Sequence, residues 1–257
     1  IGNSAGNGAV GGHALIALGM SAGEAASDSR DMICMALNAG RDVSGCDYST
    51  FIGYHAGYGA VESTEIVAIG KYVVQDALAC DKSVMIGSEA GYETTGTNYT
   101  NMIGNKAGYQ SLSCDYANII GFEAGEDMAD CNYVNVMGYQ AGEDASGVSY
   151  SNFFGYQAGH LAKNLDESAD HSYLNIMGYR AGFQSTNNNY TNMLGVQAGW
   201  TAISCDYSDM VGTNAGGFAE NCDGSQMIGA WAGYQASGIS YSIFLGYEAG
   251  KGAKSFD

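Results

Sequence analysis

The sequence predicts an all-β fold, a parallel β-solenoid built from about fifteen coils, each of seventeen residues. Three observations predict it. A GxxAG segment returns at a spacing of seventeen positions with one exception, glycine is abundant (39 of 257 residues) while proline is absent, and nearly every unit holds two adjacent apolar positions. We number the first glycine of the segment as column 1 of the repeat. In this numbering the whole chain, 1–257, is predicted to be a single repeat solenoid.

The column-1 glycine is the most regular element of the repeat. The step between successive units is seventeen everywhere except from Gly155 to Gly178, where it is twenty-three, and Ala36 is the one substitute in the column. Column 4 is Ala and column 5 is Gly in fourteen of fifteen units, with Val73 and Val74 as the exceptions. So many returns to one phase indicate a repeat architecture. The column-1 glycines are Gly2, Gly19, Gly53, Gly70, Gly87, Gly104, Gly121, Gly138, Gly155, Gly178, Gly195, Gly212, Gly229 and Gly246.

The length of the unit selects a solenoid among repeat folds. Seventeen residues are too few for a βαβ unit, which needs about 30, but they suit short strands joined by tight turns. Glycine at columns 1 and 5 then supplies a positive φ or a close backbone approach at a corner. Stacking of coils at about 4.8 Å predicts a rod roughly 70 Å long. The absence of proline agrees, because strands inside a ladder must donate their N–H groups.

Columns 16 and 17 are adjacent and apolar in nearly every unit, so they point to opposite faces of a strand. One face fills the coil, and the other needs a cover, because a long exposed apolar stripe would aggregate. We expect a second copy of the chain as that cover, although a bulge that turns both columns inward is the alternative. Met and Phe adapt well to interfaces, which favours column 16 for the shared axis and column 17 for the coil interior. The predicted interface residues are Phe51, Met102, Ile119, Phe153, Met193, Met210 and Phe244.

Units reading NMIGNKAGYQS, NFFGYQAGHLA and NMLGVQAGWTA resemble the NTAVGYQAL-type repeats of phage tail-fibre and bacterial surface proteins. They are more loosely similar to the NSVAIG coils of trimeric autotransporter adhesin heads. The resemblance covers essentially the whole chain. It implies a left-handed, parallel homotrimer that forms the shaft or head of an adhesive fibre. It also implies an extracellular location, on a virion tail or a cell surface, with a host receptor reached through other parts of the fibre.

Six of the seven cysteines occupy column 11, where most of the other residues are small or apolar. That profile is typical of a tight inward position, in which a free thiol behaves as a small hydrophobe. Two pairs on successive coils, Cys114 with Cys131 and Cys205 with Cys222, are near enough for disulfides as the alternative. No CxxC motif is present, which argues against zinc. The column-11 cysteines are Cys46, Cys80, Cys114, Cys131, Cys205 and Cys222.

Acidic side chains also recur in register. Column 12 carries Asp in five units, and the pairs Glu126-Asp127 and Glu143-Asp144 stand at columns 6 and 7 of successive units. Like charges about 5 Å apart repel, so either solvent screens them or a cation bridges them. We expect a solvated face and no cofactor, with weak Ca²⁺ binding as the alternative.

The extra six residues between Gly155 and Gly178 interrupt the repeat in the 160–171 region. We expect an insertion loop there that protrudes from the coil. Lys163, Asp166 and Glu167 are its candidate partner-contact residues, although loops also tolerate chance insertions.

The polar residues follow the repeat, and no catalytic constellation stands out from it, so the sequence favours a non-catalytic structural or adhesive fibre module. The alternatives are a surface- or glycan-binding solenoid and a solenoid enzyme that degrades polysaccharide. A net charge of −18 argues against nucleic-acid partners, and no apolar run is long enough for membrane insertion. Both ends fall within a coil, so we expect a fragment of a longer fibre. The four histidines fall in unrelated columns, and we expect each to be solvated: His13, His55, His160 and His171.

Overall fold

A computed structural model describes residues 1–11, 14–112, 114–129, 131–147, 149–163 and 173–254. The chain divides into two compact units, Ile1–Asp127 and Met128–Asp257, which we describe separately. The described residues form parallel strands and turns without a helix, which confirms the predicted all-β solenoid. Since none of these residues is helical, no helical span across a membrane is found among them.

The first unit contains seven strands of three residues, each formed by columns 15 to 17 of one coil. They pair in parallel in chain order, and paired residues lie seventeen positions apart, as in Phe51 opposite Ala68. The predicted stacking of residues at this spacing is therefore confirmed. The strands are β1 (Ile16–Leu18), β2 (Ile33–Met35), β3 (Thr50–Ile52), β4 (Val67–Ile69), β5 (Val84–Ile86), β6 (Asn101–Ile103) and β7 (Asn118–Ile120).

The second unit repeats this arrangement with seven more strands. Its one irregular step joins β9 to β10, where Phe153 lies opposite Ile176, twenty-three positions further along the chain. The longer coil therefore keeps the register of the strands on both sides of it. The strands are β8 (Asn135–Met137), β9 (Asn152–Phe154), β10 (Asn175–Met177), β11 (Asn192–Leu194), β12 (Asp209–Val211), β13 (Gln226–Ile228) and β14 (Ile243–Leu245).

A second line of contacts runs along column 9 within each unit. There, single residues of successive coils form parallel bridges, as in Leu78 with Thr95 and Lys163 with Thr186. Neighbouring coils are thus joined at two places, once by a short strand and once by a bridge. Turns occupy the residues between these two places.

The strands bury their middle residue and expose the flanking ones, which corrects the predicted assignment of faces. Column 16 fills the coil and column 17 faces outward, the reverse of the prediction. The reason is that each strand is centred on column 16, so that columns 15 and 17 share the opposite direction. Six of the seven predicted interface residues have 0% exposure within the single chain: Phe51, Met102, Ile119, Phe153, Met193 and Met210. The seventh, Phe244, is partly exposed.

Glycine is required at columns 1 and 5 for two different steric reasons. Gly53 has φ 134°, and a methyl group built on it would overlap the carbonyl oxygen of Gly70 in the next coil. Gly57 has φ 67°, and a methyl group there would overlap the ring of Phe51. Column 1 therefore needs glycine for backbone contact between coils, and column 5 needs it to make room for the column-16 side chain.

Candidate functional site: the outer strand face

The outward side chains of columns 15 and 17 form a continuous surface on each unit, which we call the outer strand face. Seven strands of each unit contribute two side chains apiece to it. The chain has 27 acidic and 9 basic residues, yet among the described strands only Asp209 in β12 places a charge on this surface. The face is therefore almost neutral, although the chain as a whole is strongly acidic.

Column 17 supplies the apolar part of the face. Ile103 in the first unit is 39% exposed, and Met137 and Met177 in the second are 44% and 48% exposed. Exposed hydrophobic side chains scattered singly are ordinary on protein surfaces, but an unbroken row of them is typical of an interaction site.

Column 15 supplies a polar part in β6 and β7 of the first unit and in β8 to β11 of the second, as ladders of asparagine amides. Asn101 donates to Asn118 at 2.9 Å in the first unit, and Asn152 donates to Asn175 at 2.8 Å in the second. At the end of the second ladder Asn192 donates to Asp209 at 2.6 Å. Each of these amide groups donates a hydrogen bond to the side-chain oxygen of the next coil. The asparagine rows therefore need few hydrogen-bond partners outside the sheet.

Tyrosines of column 13 form a stacked row next to the cysteine and aspartate columns. In the second unit Tyr133, Tyr150, Tyr173, Tyr190 and Tyr207 stack with ring centroids 4.9–5.1 Å apart and interplanar angles of 3–15°. Tyr rings within this row cover the faces of their neighbours, and their outer edges remain exposed. The row therefore packs coil on coil.

The column-12 acids have backbone partners, which the sequence did not reveal. Oδ1 of Asp47 accepts the Arg30 N–H at 2.7 Å, and Oδ1 of Asp81 accepts the Thr64 N–H at 2.7 Å. The Arg30 side chain also donates to Asp47, and this hydrogen bond lowers the pKa of the Asp47 carboxyl. A donor from the preceding coil thus compensates the charge of each of these two carboxylates.

The acids of column 6 also have cationic or imidazole neighbours. Lys106 Nζ lies 2.9 Å from Glu126, and His160 Nε2 lies 3.3 Å from Glu143. The weak Ca²⁺ binding considered for these acids stays a prediction.

Two of the four histidines fall in the described residues, and neither is simply solvated as the sequence suggested. His160 is mostly buried and stacks on Phe183 at 5.0 Å, and this burial lowers its pKa. His55 lies 2.9 Å from the Asn38 amide nitrogen. His13 and His171 lie outside the described residues.

The cysteines of column 11 are inward, as predicted. Cys46 and Cys80 are free thiols with 0% exposure, and so is Cys34 of column 16. Burial raises the pKa of Cys34 to about 12 and that of Cys46 to about 11. Cys205 and Cys222 form a disulfide between successive coils, with Cα atoms 4.2 Å apart. The structure therefore contains both alternatives that the sequence left open.

Of the predicted partner-contact residues, only Lys163 is described. It forms bridges with Ser146 and Thr186 and so belongs to the column-9 line. Asp166 and Glu167, with the rest of the insertion from 164 to 172, lie outside the described residues.

The first unit contains a groove that the sequence did not predict. Tyr72, Gln75, Glu89, Tyr92 and Tyr109 line a volume of about 370 Å³ that is open to solvent. The signal that could have located it is the single Val-Val unit at columns 4 and 5, since a local departure from a repeat is where special function is most readily accommodated.

Comparison with known protein families and with curated proteins finds no match for this chain.

Proposed function

We propose that this chain is a non-catalytic structural segment of an extracellular adhesive fibre. In the proposal it assembles as a parallel homotrimer through the outer strand face. Attachment to a host or cell-surface receptor is assigned to other parts of the fibre. The single observation that carries the proposal is the apolar, nearly charge-free outer strand face on an otherwise acidic chain.

The choice of a second copy as the partner follows from charge and repetition. When identical repeats lie side by side in parallel, each column faces the same column of its neighbour. A charged column would then meet its own like charge, which is unfavourable. The outer strand face avoids this cost, because its two columns are Asn and aliphatic or Met side chains in most coils.

The packing chemistry also supports self-association. Ile86 and Ile103 stand on adjacent strands and are 36% and 39% exposed in the single chain. Covering such a row removes apolar area from water at roughly 25 cal/mol per Å². The resemblance of the repeats to those of phage tail fibres and trimeric adhesins supports three copies and an extracellular fibre.

Native mass measurement tests the proposal. We expect the chain to run at three times its 26.7 kDa mass. The double substitution Ile86→Asp/Ile103→Asp should give folded single chains, because both side chains already face outward and the charge harms only the interface.

A matched control comes from column 9. Leu78 and Leu112 are each 47% exposed but lie on the other line of coil contacts, so Leu78→Asp/Leu112→Asp should leave the trimer intact. A folded wild-type monomer across micromolar concentrations, or a trimer that survives both pairs of substitutions, would contradict the proposal.

A further inference from the structure

We propose that the groove of the first unit binds a neutral saccharide, with the sugar ring against Tyr92 and its hydroxyl groups on Gln75 and Glu89. This site is independent of the outer strand face.

The groove lies where the repeat is interrupted. Column 6 holds Tyr58, Tyr92 and Tyr109, but the unit between the first two carries Gln75 instead. Tyr92 and Tyr109 stack with centroids 5.2 Å apart and an interplanar angle of 4°. The other face of Tyr92 is turned toward the Gln75 coil, and no described aromatic ring stacks on it. The interruption thus leaves an aromatic face open to the groove.

The same coil departs from the repeat in its core. Val73 and Val74 replace the Ala and Gly of columns 4 and 5, and the column-16 residue that directly precedes this unit is the small Ala68, all three with 0% exposure. The larger column-5 side chain is accommodated by a smaller column-16 residue, so the coil stays packed. The core of the coil beneath the groove is therefore fully packed.

Gln75 provides an acceptor that lacks a donor. Its side-chain nitrogen donates to Asp76 at 3.2 Å, which orients the amide. Its side-chain oxygen is buried and accepts no hydrogen bond from any described residue. A buried polar atom without a hydrogen-bond partner destabilises the folded state. A ligand that brings a hydroxyl donor into the groove relieves this cost, and the Glu89 carboxylate on the groove wall is a second acceptor for it.

Charges around the groove disfavour an anionic ligand, and lysines already lie near two of its tyrosine rings. Glu89 and the neighbouring Glu93 oppose an anionic ligand. Burial, and after it the Glu93 charge, raises the pKa of Tyr92. A cation would be attracted to tyrosine faces, but Lys71 already lies 4.7 Å from the Tyr72 ring centroid and Lys106 lies 5.2 Å from that of Tyr109. A neutral ligand meets neither objection.

A pyranose ring is a neutral ligand that offers both an apolar face and hydroxyl donors. One of its faces carries C–H groups that pack on an aromatic ring, while its edge carries hydroxyl donors. The groove volume of about 370 Å³ lies within the range of small-molecule sites. The parallel tyrosine row of column 13 is unsuited to this role, because its ring faces cover each other.

Saturation-transfer NMR with defined glycosides tests the site. The probes are the methyl glycosides of glucose, galactose, mannose and N-acetylglucosamine, each at about 10 mM, which exceeds a millimolar Kd. Sialyllactose and choline serve as the anionic and cationic comparisons. We expect saturation transfer to the ring protons of at least one neutral glycoside and none to choline or to the sialic acid residue.

Two variants and one control decide the assignment. Gln75→Leu removes the acceptor at nearly constant volume, and Tyr92→Ala removes the ring; each should raise Kd about tenfold or more. Tyr99→Ala removes a stacked column-13 tyrosine outside the groove and should leave Kd unchanged. Thermal unfolding checks that all three variants fold.

The site is refuted if no neutral glycoside binds, if binding is unchanged in both groove variants, or if only the charged probes bind. The native mass of the same samples reports on trimer assembly separately. A failure of glycoside binding can therefore be distinguished from a failure of trimer assembly.

Discussion

Gly57 lies so close to the ring of Phe51 that even one added methyl group would overlap it. Phe51 is column 16 of one repeat and Gly57 is column 5 of the repeat that follows it. One glycine and one large apolar side chain meet in this way in most coils. At one place in the chain the two sizes are exchanged: the larger side chain, Val74, is at column 5 and the smaller, Ala68, is at column 16, both fully buried. The two columns therefore share one volume inside the coil.

Gly57→Ala should lower the free energy of unfolding by roughly 2–4 kcal/mol, since it combines overpacking with an unfavourable positive φ. Gly142→Ala is the matched control. Gly142 has φ 61°, but a methyl group there would come no closer than 3.1 Å to any atom outside its chain neighbours, the nearest being Phe153 Cδ2. A small side-chain shift relieves that contact, so mainly the conformational cost of about 1 kcal/mol remains. Urea unfolding of both variants measures the difference.

Phe51→Ala should partly rescue Gly57→Ala, because it frees the shared volume as Ala68 does beside Val74. A double-mutant cycle then gives a favourable coupling energy. Additive losses from the two substitutions would show that the columns do not share space.

Ala36→Gly should stabilise the protein by about 1 kcal/mol. Ala36 is the one non-glycine of column 1 and has φ 116°, a region that L side chains rarely adopt. Glycine removes that strain, although it adds some freedom to the unfolded chain. Ala39→Gly, at a buried column-4 position without positive φ, should instead destabilise by a similar amount. A melting temperature for Ala36→Gly at or below the wild-type value would contradict the strain argument.

The thiols of Cys34, Cys46 and Cys80 should resist an aromatic disulfide reagent at pH 8 in the folded protein. Their burial keeps the reagent out, and pKa values of about 12 and 11 for Cys34 and Cys46 leave almost no thiolate. Denaturation should make all three reactive. Reaction of any of the three at the rate of a free model thiol would show that its coil opens readily.

Asp47 should make stability depend on acid pH. The Arg30 hydrogen bond lowers the pKa of Asp47 in the folded protein, so the bond contributes stability above the ordinary carboxyl pKa of about 3.9. This contribution is lost as pH falls from there through the lower folded value. Asp47→Asn should show a weaker loss across the same range, because the asparagine amide does not titrate. Asn can still accept the Arg30 backbone N–H, as Asn98 accepts that of Asp81. Identical pH profiles for the two proteins would rule out the role of Asp47.

The repeat by itself determined the fold class, the length of the coil and the register. Glycine at columns 1 and 5 indicates a tight corner, and the phase of the repeat states which residues stack. The inward position of the column-11 cysteines also followed from sequence, since most of the other side chains at that column are small or apolar.

Tertiary structure decided which apolar column faces outward. Adjacent columns 16 and 17 require two faces, but the sequence does not say on which side of the strand the coil closes. The strand is centred on column 16, and Gly57 opens space for Phe51 inside the coil, so Ile52 and its column-17 equivalents turn outward. The backbone partner of Asp47 and the unpaired oxygen of Gln75 likewise depend on contacts with neighbouring groups, whose distances and directions exist only once the coils are folded.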